Sequence, residues 1–115
     1  MVSPDDLERF RKRLSEERAS VESRIQARTR ELEGTGDQEA ADQGDEAQSI
    51  FERERAIDDN DLDRELLGRI DRALARIDAG TYGVSEVSGK PIPVERLEAL
   101  PTATTLVDEE PPNSQ

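Results

Sequence analysis

Leu7, Phe10, Leu14, Val21, Ile25 and Leu32 recur at spacings of three, four or seven in a background crowded with Arg and Glu. Such spacing describes a helix with one narrow apolar stripe, and a stripe of that kind needs a partner helix. Ser3, Pro4 and Asp6 mark its start: a hydroxyl N-cap, a proline whose missing N–H costs nothing at the first helical position, and an acid in the first turn. Glycines, threonine and acids break the pattern from Gly34 to Gly44, and Glu33 to Glu46 holds six acids and no base. Periodicity resumes at Ile50 and Ile57, weakens through Asp58, Asp59, Asn60 and Asp61, and is strongest at Leu66, Ile70, Leu74 and Ile77, before Gly80 supplies a C-cap. A second helix is predicted from about Glu46 to Ala79. Two long single-stripe helices joined by a short loop can cover each other only as an antiparallel hairpin, so residues 3–79 are read as a coiled-coil hairpin with an acidic tip at 33–46 and the termini at its base.

After Gly80 the character changes. Tyr82, Gly83, Val84 and Val87 surround Gly89, Lys90-Pro91-Ile92-Pro93 forms a kink, and Val94 to Leu100 reads as a short helix stopped by Pro101. Thr102 to Val107 reads as extended, and residues 108–115 have the composition of a disordered tail. Residues 80–107 are therefore predicted to form a small α/β knob. A unit below about 40 residues needs a metal, a disulfide or a surface to dock on. The chain has neither Cys nor His, so the knob is expected to dock on the base of the hairpin.

Composition narrows the function. Only 32% of the 115 residues are apolar and 3% aromatic, too few for a large compact core. A net charge of -12 opposes any nonspecific grip on nucleic-acid phosphates, so direct DNA binding is not expected. Without His and Cys, imidazole triads, thiolate nucleophiles and thiolate zinc sites are all excluded. The N-terminus lacks the layout of a signal peptide and no apolar run approaches a membrane span, which makes a cytoplasmic protein the expectation.

The residues Tyr82-Gly83, Glu86, Gly89, Pro91-Ile92, Arg96-Leu97, Ala99 and Pro101-Thr102-Ala103 resemble the C-terminal zinc-finger signature of the DksA/TraR family of bacterial RNA polymerase-binding transcription factors. The likeness continues back through the second helix, and the acidic tip is similar as well. At the family's four zinc-ligand positions this chain has Ser85, Ser88, Leu106 and Glu109. Structural zinc wants thiolate or imidazole ligands, so a zinc-independent, degenerate finger with no cofactor is expected, Leu106 and Val107 replacing the metal with apolar contacts.

The resemblance also implies a site. Asp42, Asp45 and Ala47 stand at the Asp-x-x-Asp-x-Ala spacing that the family carries at its tip and places in the secondary channel of RNA polymerase, beside the catalytic magnesium. Carboxylates suit that position, because magnesium prefers oxygen ligands. The family's alarmone site has basic residues, of which Arg69 keeps one, while Leu100 and Glu110 replace two others; this argues against guanosine tetraphosphate binding there. Asp58, Asp59, Asp61 and Asp63 are read as a solvated helix face.

The resemblance thus implies a monomeric, non-enzymatic regulator that binds RNA polymerase through its secondary channel and modulates promoter open complexes. The alternatives are an adaptor coiled coil with another partner, for which the tip is a mere turn, and a factor whose tip assists transcript cleavage as Gre factors do.

Overall fold

The computed structural model describes residues 2–35 and 46–109. They form three helices: α1 (Pro4–Thr35), α2 (Glu46–Ala79) and α3 (Val94–Ala99). The fold is mainly α, a helical hairpin of the coiled-coil kind carrying a knob. By contact the chain divides into two compact units, residues 1–18 with 69–115, and residues 19–68; α1 and α2 each run through both.

In the first unit α1 starts as its sequence dictates. Ser3 Oγ accepts the N–H of Asp6 at 3.1 Å, which satisfies one of the free donors of the first turn. α2 ends on Gly80, whose φ of +80° suits glycine. The N–H of Gly80 reaches Ile77 O at 3.2 Å and that of Thr81 reaches Arg76 O at 2.9 Å, the paired bonds of a Schellman cap. Arg11 Nη1 meets Asp78 at 2.9 Å and Arg18 Nε meets Asp71 at 2.5 Å, so the partner recedes along α2 as α1 advances and the helices are antiparallel. Phe10, Leu14, Ile70, Ala73 and Ile77 are buried, and so are Tyr82, Ile92, Leu97 and Ala103 from the knob. The helix ends and the knob thus share one core, in which each fully buried large side chain stabilises by roughly 1.5–3 kcal/mol.

The knob is less regular than an α/β reading suggests. Its helix is α3, and its β content is a single isolated bridge between Val84 and Pro91, with no strand among the described residues. Pro91 and Pro93 flank Ile92 and cannot donate to a ladder, which limits pairing there to one bridge.

In the unit of residues 19–68 the helices again pair antiparallel, but with little apolar material. Val21 is fully buried, Ile25, Leu32, Ala56, Leu66 and Leu67 are half-buried, and the other buried residue among the described ones of this unit is polar, Asn60. Ile50 and Ile57, expected on the stripe, are 55% and 43% exposed, because α1 offers them too few apolar partners beyond Ile25 and Leu32. Polar ties act instead. Arg24 Nε and Nη2 reach the Asp63 carboxylate at 3.1 and 3.0 Å, Arg28 Nη1 reaches it at 2.5 Å, and Arg53 Nη1 donates to Leu32 O at 2.9 Å. The solvated face predicted for Asp58, Asp59, Asp61 and Asp63 therefore needs correcting at Asp59, which is half-buried, and above all at Asp63, which the two arginines cover to 14% exposure.

Candidate functional site

The knob is built on Tyr82. Its ring lies 5.8 Å from that of Phe10 on α1, tilted by 47°, and its hydroxyl donates to Pro101 O at 2.8 Å. Burial pushes the phenol up to about 12; nearby Arg13 pulls it down and Glu98 pushes it up, both by less. Gly83 has φ +84°, and a Cβ there would fall 2.6 Å from Val2 Cγ2, so glycine is required both by conformation and by close approach. Pro91 bridges Val84, and Gly89, at φ +75°, closes the turn that starts at Ser85. Arg96 Nε donates to Thr105 O at 2.8 Å, tying α3 to the C-terminal segment, and Thr102 is half-buried beside the buried Pro101. Tyr82, Gly83, Gly89, Pro91, Arg96, Pro101 and Thr102 thus all stand within one compact unit.

Ser85 and Glu109, predicted as two of the degenerate zinc positions, are in direct contact. Ser85 Oγ donates to Glu109 Oε1 at 2.5 Å, and the Leu106 N–H donates to the same oxygen at 2.9 Å. Hydrogen bonds from the Ser85 and Ser88 hydroxyls and the Leu106 N–H hold the Glu109 carboxyl below the usual carboxylate range, with a smaller contribution from Lys90. This donor set does not fit zinc. It offers no thiolate or imidazole, and its one carboxylate is already occupied by the protein's own donors; among the described residues no cluster of three or more His, Cys, Asp or Glu could hold a metal. The expected apolar substitute fails at Val107, which is 79% exposed, while Leu106 is half-buried and also donates its N–H to Glu109.

Arg76, which the sequence reading missed, holds the knob to the end of α2. Its Nη2 donates to Thr81 O at 2.8 Å and to Val84 O, and its Nη1 pairs with Glu86 at 3.4 Å. An arginine in the last turn before a capping glycine is the available signal, since basic side chains there satisfy free carbonyls. Arg13 plays a similar part, donating to Glu98 O at 2.8 Å, while Arg9 pairs with the Glu98 carboxylate.

Of the tip residues, Asp42 and Asp45 lie outside the described residues and Ala47 is the second residue of α2. Of the alarmone positions, Arg69 sits on an exposed position of α2 and Glu110 lies outside the described residues. Leu100 is 47% exposed and its N–H is already bound to Arg96 O at 2.7 Å, leaving it nothing to offer a phosphate.

These features define a helical-hairpin protein with a finger-like knob whose metal positions carry hydrogen-bonding groups. No protein-family model matches the chain. It is 44% identical over 68 residues to the RNA polymerase-binding transcription factor DksA of Caulobacter vibrioides, covering 59% of this chain and 48% of that protein. It is 55% identical over 65 residues to the uncharacterized protein YteA of Bacillus subtilis, covering 56% of this chain and 27% of that one. Its fold is similar to the structure of transcription factor DksA2 from Pseudomonas aeruginosa, with a TM-score of 0.81 and 29% identity over 92% of this chain and 81% of the other. The chain belongs to the DksA/TraR family. It spans half or less of the length of the two curated relatives described.

Proposed function

We propose that the protein is a non-catalytic, cytoplasmic transcription regulator that binds RNA polymerase as a monomer through the secondary channel and changes the lifetime of promoter open complexes. The observation that carries this reading is the likeness to DksA2 over 92% of the chain, in which hairpin and knob are included together. The name of the Caulobacter relative supports polymerase as the partner. In this reading residues 3–79 form the probe, with Asp42, Asp45 and Ala47 at its leading end, and residues 80–107 form the knob that orients it. Ile50 and Phe51, a few residues along the chain from the tip, are 55% and 69% exposed and offer apolar contact to a channel wall. The chain's charge of -12 is suited to a partner lined with basic phosphate-binding groups and unsuited to DNA itself.

The test is capture of purified core RNA polymerase by the tagged protein, followed by open-complex lifetime on a ribosomal promoter. Saturable capture with a changed lifetime is expected. No capture sinks the proposal, and capture with accelerated transcript cleavage in stalled elongation complexes would favour the Gre-like alternative.

A further inference from the structure

We infer that the Glu109 carboxylate closes the knob as an anionic clasp, joining the two turns that a metal would otherwise hold together. The first turn runs from Ser85 to Lys90, where the Ser85 N–H reaches Lys90 O at 2.8 Å and the Gly89 N–H reaches Ser85 O at 3.0 Å. The second is closed by the Glu109 N–H on Leu106 O at 3.0 Å. The same four positions that the resemblance marks for zinc sit on these two turns.

Hydrogen-bond accounting shows why a carboxylate suits the place. Ser85 is 4% exposed, and its Oγ accepts the N–H groups of Val87 at 3.1 Å and Ser88 at 3.2 Å. A hydroxyl has two acceptor sites and one proton, so with both acceptor sites taken its proton needs an acceptor. Glu109 Oε1 is that acceptor, and it takes the Leu106 N–H as well. A side chain at 109 without an acceptor would leave a buried hydroxyl proton unpaired on one turn and a backbone N–H unpaired on the other, each at a cost. The charge itself is held by short donors, which are stronger for an ionised acceptor than for a neutral one.

The segment shows what depends on the clasp. Up to Thr105 the C-terminal strip has other anchors: buried Ala103, the Thr105 carbonyl on Arg96, and the Thr104 carbonyl accepting the Glu86 N–H at 2.8 Å. Beyond it, Leu106 is half-buried, Val107 is exposed and Asp108 faces solvent. Besides the Leu106 side chain, residues 106–109 are tied back through Glu109.

Amide hydrogen exchange on the full-length protein tests this, with Glu109→Ala and Glu109→Gln beside the wild type. Exchange at Leu106, Val87 and Ser88 should rise at least tenfold in Glu109→Ala and less in Glu109→Gln, which keeps an acceptor, while amides of α1 and α2 stay at their wild-type rates. A zinc chelator should leave wild-type exchange and melting unchanged. Changing Ser85, Ser88, Leu106 and Glu109 together to cysteine should create a site that takes up one zinc per chain, because the turns already converge. Unchanged exchange at Leu106 in Glu109→Ala would overturn the clasp. Stoichiometric zinc in the wild type, or a quadruple cysteine variant that binds none, would equally overturn its standing in for a metal.

Discussion

Arg24 grips Asp63 from the opposite helix with two guanidinium nitrogens, and Arg28 closes on the same carboxylate. Hydrogen bonds from Arg24 and then Arg28 lower the Asp63 pKa to about 2, against a smaller opposing effect of burial. A carboxylate whose folded pKa is depressed stabilises the fold fully above its unfolded value, near 4, and the contribution is lost as pH falls towards 2. Because Arg24 is 44% exposed, solvent screens the pair, and Asp63→Asn is expected to cost about 1 kcal/mol at neutral pH. Urea unfolding at pH 6, 4 and 2 should show a loss of stability in the wild type across the lower interval that is smaller in the variant. Equal slopes would rule out Asp63 as a source of acid sensitivity.

Asn60, beside this pair, is 3% exposed; its Oδ1 accepts from Arg28 at 3.3 Å and its Nδ2 donates to Thr29 Oγ1 at 3.4 Å. A buried asparagine in a helix pair fixes which faces meet at some cost in stability. Asn60→Leu is accordingly expected to hold or raise the melting temperature, since Arg28 retains Asp63, while loosening the alignment. The cysteine-free sequence permits a spin-label pair at Ala27→Cys and Leu62→Cys. One narrow distance distribution should broaden in the Asn60→Leu background; an unchanged distribution would reduce Asn60 to a filler.

Tyr82 is the chain's single tyrosine, and there is no tryptophan, so its ionisation can be followed directly by ultraviolet absorbance. The folded protein should titrate near 12 and the urea-unfolded chain near 10. With a raised folded value, the associated stabilisation is complete below pH 10 and disappears as pH climbs through 12. Tyr82→Phe leaves the Pro101 carbonyl without its donor and should cost about 1–2 kcal/mol, whereas Phe10→Ala, which opens a cavity against the same ring, should cost about 3–5 kcal/mol.

The sequence discloses elements whose information is local. The stripe through Phe10, Leu14, Ile70 and Ile77, the Ser3 cap and the Gly80 stop are each decided within a few residues, and the structure has them all. The signature from Tyr82 to Thr102 came from resemblance to the family, and its residues fall within one compact unit. Contacts that depend on register were not legible. Asp63 reads as one of several acids until α1 is set opposite it, and only then do Arg24 and Arg28 fall within reach. The resemblance set Glu109 with Ser85 as two of the metal positions, but the hydrogen bond that joins them across 24 residues was not legible, because the composition around Glu109 is that of a tail. Ile50 and Ile57 were misread for the converse reason: spacing shows that two residues share a face but not that the opposite helix can cover it.

The remaining prediction concerns the tip. Asp42 and Asp45 should be required for the effect on transcription and dispensable for capture of polymerase. On the proposed reading shaft and knob would supply most of the contact area, and exposed charges at the edge of an interface contribute little to affinity. In that reading their action would instead be exerted at a magnesium-bearing centre of the polymerase, where a carboxylate would compete for hard cations and basic groups. Asn is the informative replacement, because it keeps the size and helix-capping capacity of Asp while removing its charge. The Asp42→Asn, Asp45→Asn double variant is therefore expected to melt with the wild type and to compete for polymerase within about threefold of it, a difference below 1 kcal/mol. Open-complex lifetime with the variant should approach that of polymerase alone. If the variant retained full regulatory effect, the acidic tip would have no part in the mechanism and the adaptor reading would gain; if it lost binding as well, the tip would be an anchor.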